Sequence, residues 1–380
     1  MIYLDSAATT AVRREVLEAM WPYLTGDFGN PSSTHSLGER AADALAEARA
    51  SVAASLGART NEIIFTSGGT EADNLALKGI ALAAPQGRHI ITTPIEHEAV
   101  LESCDYLRRH HGFTVSFLGV GSDGLVDPNE FAALLTPETT LASIMYANNE
   151  IGTVQPIAEL AARAQSAKVP LHTDAVQAAG WLSLNVTGLG VDALTISGHK
   201  LGAPKGIGAL YVRGRVPLEP VLHGGGQERG ARSGTENVAG AVGLATALRI
   251  AESTREADAV RVTALRDEFI TSVLREVPDA LLTGPAERRL PGLASFCFTK
   301  TSGESVLLEL ERQGIVCSSG SACAAGSDEP SHVLVAVGYE PAVAQTAVRF
   351  TMGPSITADE VHEAAAAVKT AVLAVQGITR

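Results

Sequence analysis

The chain has 380 residues, 46% of them hydrophobic and 19% charged, which excludes a disordered chain and leaves room for one large core plus a smaller domain. A formal net charge of −13 argues against nucleic acid, whose phosphates call for a basic face, and no apolar run is long enough to span a bilayer, so neither DNA nor a membrane is an expected partner. Four cysteines without a CxxC pair fit a reducing compartment, and residues 1–5 lack the basic-then-apolar pattern of a leader, so a cytoplasmic protein is expected.

In chain order, apolar runs predict strands at 63–66, 89–93, 114–118, 141–145, 170–173 and 193–196. Helical patterns fall between them at 70–83 and about 98–110. The run 207–212 reads as an antiparallel edge strand. A long helical stretch, roughly 238–277, links to a second unit with strands at 294–298 and 348–351 and helices at 305–313 and 358–375. Strands alternating with helices predict an α/β fold, with a mostly parallel sheet covered on both faces and a smaller α+β C-terminal domain. The expected division is 1–255 for the large domain and 256–380 for the small one.

Ligands of open α/β sheets sit beyond the carboxyl ends of the strands, and several polar clusters fall there. One predicted strand closes on Asp174, with Gln177 just after it, and the next runs into Ser197, Gly198, His199 and Lys200. Pyridoxal phosphate (PLP) needs an amine for a Schiff base and a carboxylate to keep its ring nitrogen protonated. Each of these two residues alone reads equally well as a solvated charge, and it is their combination that points to the cofactor. Ser67, Gly68, Gly69, Thr70 and Glu71 follow another strand and open a helix, which makes an anion site; an ordinary N-cap, with Thr70 capping and Asp73 at the third helical position, is the competing reading. His97 could stack on a flat ring or simply lie on the surface, and Asn149 could reach a ring oxygen or belong to a plain loop.

The run from His223 to Thr235 is too glycine-rich for a helix or central strand and reads as an arm or a flexible loop. Cys104, Cys297 and Cys317 fall in apolar contexts and read as core. Cys323 lies among small and polar residues, where a thiol is a chemical liability unless it is used. Cys317 and Cys323 lack a partner pair at ligand spacing, so no metal site is expected.

Together these residues resemble the NifS/IscS-type cysteine desulfurases, in the class V aminotransferase group of fold-type I PLP enzymes. The resemblance runs from Tyr3-Leu4-Asp5 to Arg349 and includes Phe28-Gly29-Asn30-Pro31, Glu96-His97, Asn148 to Gly152, and Ser318-Ser319-Gly320-Ser321-Ala322-Cys323. It implies that Lys200 forms the Schiff base and that Gly69, Thr70, Ser197 and His199 hold the phosphate. Thr235 would contribute from the other subunit of a homodimer. Asp174, Gln177 and Asn149 would contact the ring and His97 would stack on it. Asn30 and Arg349 would bind the substrate carboxylate, and the N-terminal segment would contribute to the small domain.

The implied reaction takes sulfur from L-cysteine, leaving L-alanine and a persulfide on Cys323, with Lys200 and His97 as proton carriers. An acceptor protein, an iron–sulfur scaffold or a tRNA-thiolation enzyme, would then receive the sulfur. A selenocysteine lyase, another class V PLP lyase or aminotransferase, and a non-catalytic scaffold that keeps the fold are the alternatives.

Overall fold

The computed structural model describes residues 1–83, 85–320 and 329–378. Cys323, the expected sulfur carrier, lies outside the described residues. Short β-branched and aliphatic runs bounded by Gly, Pro and polar residues form strands β1 (Ile2–Tyr3), β2 (Ile63–Thr66), β3 (His89–Thr92), β4 (Thr114–Phe117), β5 (Thr139–Ser143), β6 (Leu171–Asp174), β7 (Ala193–Ser197), β8 (Gly208–Val212), β9 (Ala280–Leu282), β10 (Leu293–Phe298), β11 (Ile315–Val316) and β12 (Ala347–Thr351). The helices are α1 (Arg14–Thr25), α2 (Ser36–Leu56), α3 (Gly69–Ala83), α4 (Glu98–His111), α5 (Pro128–Leu134), α6 (Ile157–Ser166), α7 (Val186–Leu189), α8 (Val238–Glu276), α9 (Gly303–Arg312), α10 (His332–Ala336), α11 (Pro341–Ala344) and α12 (Ala358–Ile378).

Among the described residues, seven strands form the main sheet in the order β2-β8-β7-β6-β5-β3-β4. The five from β7 to β4 run parallel, and β8 is antiparallel to both of its neighbours. This corrects one expectation. The 207–212 strand is antiparallel as predicted, yet it is internal, because β2 pairs with its far side from Ile63 opposite Tyr211 to Thr66 opposite Gly208. Hydrophobicity along a strand reports burial of its faces and says nothing of which strands flank it.

One hydrophobic cluster packs on the large sheet through Ile63, Phe65, Ile91, Leu194 and Ala209 and takes in Ala239 to Ala251 of α8, while another packs α3 and α4 on it through Ile64, Ile90, Leu141 and Leu210. A third packs Val262, Phe269 and Val273 of α8 against the antiparallel sheet β12-β10-β9 and α12. Ile2 and Leu4 belong to this third cluster, and β1 pairs in parallel with β11. The N-terminal strand therefore leaves the third cluster and runs directly past the carboxyl ends of β6 and β7, where Thr10 N donates to His199 O at 2.9 Å. Among the described residues no helix is long and apolar enough to cross a membrane.

Candidate active site

The parallel strands β6 and β7 end side by side, Asp174 opposite Thr195, and chain reversals there aim polar groups into one cavity of about 260 Å³. Beyond β7 a single helical turn, Gly198–Lys200, carries His199 and Lys200. A Cβ on Gly198 would stand 2.9 Å from Ile207 Cγ2, so only glycine lets this turn press against the next strand. Ser197 closes β7 with its hydroxyl buried and unpartnered. Facing it is the start of α3, where a Cβ on Gly69 would come 3.0 Å from Val176 Cγ2 and 3.5 Å from Ser197 Cβ. The result is a cradle of helix N-terminal amides, a free hydroxyl and space that a side chain would fill.

Ten of the predicted residues line the cavity: Gly69, Thr70, His97, Asn149, Asp174, Gln177, Ser197, His199, Lys200 and Arg349. Lys200 Nζ donates to the carbonyls of Ala7 and, at 2.8 Å, Ala8. Gln177 donates to Ala7 O at 3.0 Å, so the N-terminal segment ties down both groups. His97 caps α4 by accepting from Ala99 N through Nδ1 at 3.0 Å, which places the proton of the neutral ring on Nε2. His199 Nδ1 lies 3.1 Å from Thr9 Oγ1, and burial, with Lys200 and Lys205 nearby, pushes its pKa down to about 4. Burial raises the Asp174 carboxyl, while His97, the Val176 amide and Lys200 pull it back toward the charged form.

Arg349 is 1% exposed, with NH1 donating to Asn149 O at 2.9 Å and Gly320 O at 3.0 Å, and NH2 to Asp5 Oδ1 at 2.8 Å. Its Nε is buried without a hydrogen-bond partner. A larger cleft of about 940 Å³ adjoins the cavity and shares Ala7, Val176, Gln177 and Lys200 with it, so the lysine borders open space on two sides.

Two predicted residues are not brought here. Asn30 is exposed, its side-chain Oδ1 accepting from Ser32 N at 2.9 Å, and Thr235 is exposed on the glycine-rich arm; neither lines the cavity. The donor set fits PLP: a lysine amine, a buried carboxylate drawn toward its charged form by His97 and Lys200, and an unpaired hydroxyl beside a helix N-terminus suited to a phosphate.

The model of the family described as "Aminotransferase class-V" matches residues 2–363. A cysteine desulfurase IscS of Dictyoglomus turgidum is 47% identical over 362 residues, covering 95% of this chain and 92% of that protein. A solved structure titled "NIFS-LIKE PROTEIN" superposes with a TM-score of 0.91 at 38% identity, covering 97% of this chain and 98% of the other. Another, "SspA in complex with cysteine", gives 0.82 at 37% identity and covers 94% of this chain and all of that one. The chain belongs to the NifS/IscS-type cysteine desulfurases of the class V aminotransferase family.

This family is PLP-dependent, in agreement with the donor set. Within this desulfurase cavity the sequence reading passed over four residues. Glu96 accepts from Thr93 Oγ1 at 2.7 Å and Met145 N at 3.0 Å, and burial pushes its pKa up to about 8. Glu150 accepts from Ser331 Oγ, the cap of α10, at 2.5 Å, and His332 of the same helix lies 3.0 Å from Glu96 O. Asp73, read as a cap residue, points inward and is buried. The neighbouring Glu98 follows a legible His97, yet nothing in a linear pattern tells a buried glutamate from an exposed one.

Proposed function

We propose that this chain removes sulfur from L-cysteine to give L-alanine and a persulfide on Cys323, which an acceptor protein of iron–sulfur assembly or tRNA thiolation then discharges. The carrying observation is the convergence of Lys200, Asp174, His97 and Arg349 on one cavity in a member of this family. The cysteine-bound title of one similar structure supports the substrate. Bound PLP supplies the electron sink that takes up negative charge developing at the substrate α-carbon.

The chain's own residues do the rest. Gly69, Thr70, Ser197 and His199 would hold the phosphate, joined by Thr235 from a second copy. Asp174 would face the ring nitrogen, Gln177 and Asn149 the ring oxygen, and His97 the ring face. The unpartnered Nε of Arg349 would meet the substrate carboxylate, and Asn30, which stands on an exposed loop outside the cavity, would join it there once that loop is brought in. Lys200 would anchor the cofactor and then carry the α-proton, and His97 Nε2 would carry protons at the substrate sulfur and the departing carbon.

The state of the other three cysteines supports Cys323 as the residue that takes the sulfur. Burial pushes the thiols of Cys104 and Cys317 up to about 12 and that of Cys297 to about 11, which makes them poor nucleophiles. Cys323 is the fourth cysteine. Its thiolate would attack the substrate sulfur, forming the S–S bond as the C–S bond breaks, and the carbon fragment would leave as alanine after protonation.

A homodimer is part of this reading. Leu17, Trp21 and Leu24 form an exposed apolar stripe on α1, continued by Phe28 next to Asn30, and a second copy would cover it. Residues 1–255 are read as the PLP-binding domain and 256–380 as the small domain, supported by two hydrophobic clusters that divide along α8 and by Ile2 and Leu4 joining the second. Free thiols at Cys104, Cys297 and Cys317 agree with a reducing compartment such as the cytoplasm. The test is turnover of L-cysteine by the holoenzyme with reductant present. Alanine and sulfide should appear in equal amounts and vanish in Cys323→Ala, and retained turnover in that variant would favour a lyase that does not use the thiol.

A further inference from the structure

The floor of the cavity holds a carboxyl to which the mechanism above gives no task. Asp73 sits on α3 one turn after Gly69, is 1% exposed, borders the cavity, and leaves Oδ1 without a hydrogen-bond partner. The Thr195 hydroxyl reaches the carboxyl, and His172 Nε2 stands 3.7 Å from Oδ1. That imidazole lies 2.8 Å from Ser143 Oγ through Nδ1 and 3.1 Å from Thr195 Oγ1 through Nε2. Burial pushes it down to about 3, so it is neutral and offers no counter-charge. Among the described residues Asp73 has no ion pair to lysine or arginine, and the charged groups facing it are Asp174 and Glu96, both acids.

Asp174 is placed differently. It accepts from Val176 N at 2.9 Å and faces His97 and Lys200. When buried carboxyls share one low-dielectric cavity and the cations face only one of them, that one takes the charge and its neighbours keep their protons. We propose that Asp73 is a positioning residue, a neutral carboxylic acid whose protonation leaves Asp174 the single anion offered to the cofactor's ring nitrogen. This rests on the reading of Asp174 as the ring-nitrogen partner and adds which acid carries the proton. Glu96, a third buried acid, is held by Thr93 and Met145 on the far side and is likewise pushed toward its neutral form.

Infrared difference spectroscopy on the cofactor-free protein at neutral pH, joined to PLP binding, tests the proposal. Wild type minus Asp73→Asn should show the carbonyl stretch of one protonated acid, shifted in heavy water. Asp73→Asn, isosteric with the neutral acid, should bind PLP within about threefold of wild type, while Asp174→Asn should bind at least about tenfold more weakly. Absence of the acid band, or a loss in Asp73→Asn as large as that in Asp174→Asn, overturns the proposal. If Asp73→Asn does not fold, Thr195→Val removes the hydroxyl against the acid and should shift the same band; an unchanged spectrum then counts against it. An acid band together with undiminished PLP binding by Asp174→Asn would sink the ring-nitrogen reading while leaving the proton on Asp73.

Discussion

At Arg349, one guanidinium spends two of its nitrogens on the protein and keeps the third unpaired. Lysine there would keep the charge and lose the planar fork, so Arg349→Lys should raise the KM for L-cysteine about tenfold, ~1.4 kcal/mol, with a smaller change in kcat, as steady-state kinetics would report. Glu96 gives a pH signature. Its folded pKa of about 8 lies above the ordinary glutamate value of 4.5, so the unfolded chain ionises first as pH rises and folding loses stability between those two values. Urea unfolding at mildly acid and mildly basic pH should show a smaller fall for Glu96→Gln than for wild type. Lys200, Asp174 and His97 are legible because each closes a strand or lies within a few residues beyond one, a place the linear pattern marks. The inward turn of Asp73, Glu96 and Glu150 was not legible, since which face of a helix or loop is buried depends on packing with segments far away in the chain.

Among the elements, the glycine-rich arm is held more firmly than its composition implies. Glu228 is buried, receives both terminal nitrogens of Arg49, at 2.5 and 2.8 Å, and accepts from Phe65 N at 3.1 Å. Glu228 and Arg229 both adopt positive φ, 48° and 59°, an arrangement that persists because these contacts enforce it. Arg232 pairs with Glu71, whose carboxylate also accepts from Ser67 N, so the arm is fastened to the cradle at the start of α3. Removing one partner of such a pair strands the other, and Glu228→Ala should cost about 3 kcal/mol in chemical denaturation, with Glu228→Gln milder. The strands of the large sheet were readable to within a residue or two from their apolar runs. The sequence does not announce α2, whose buried face is built from alanines such as Ala41, Ala44, Ala48 and Ala53, or β1, a two-residue strand defined only by its pairing with β11.

For the molecule as a whole, the proposed reading completes the site with a second copy. Thr235 and Asn30 lie outside the cavity, and the apolar stripe at Leu17, Trp21 and Leu24, with Trp21 66% exposed, lies beside the Asn30 loop. Trp21→Asp should therefore shift sedimentation toward monomer and weaken cofactor retention together; monomers that keep PLP with wild-type affinity would separate the two. α8 runs through two of the hydrophobic clusters, and its Ala251, Thr254 and Asp258 line the cleft that adjoins the cavity. On the proposed reading Lys200 and its neighbours commit the cofactor and Cys323 takes the sulfur. The most direct test is mass spectrometry of the holoenzyme after brief exposure to L-cysteine without reductant. The peptide carrying Cys323 should gain the mass of one sulfur atom, a gain absent in Lys200→Ala. Full alanine production with Cys323 unmodified would contradict that reading.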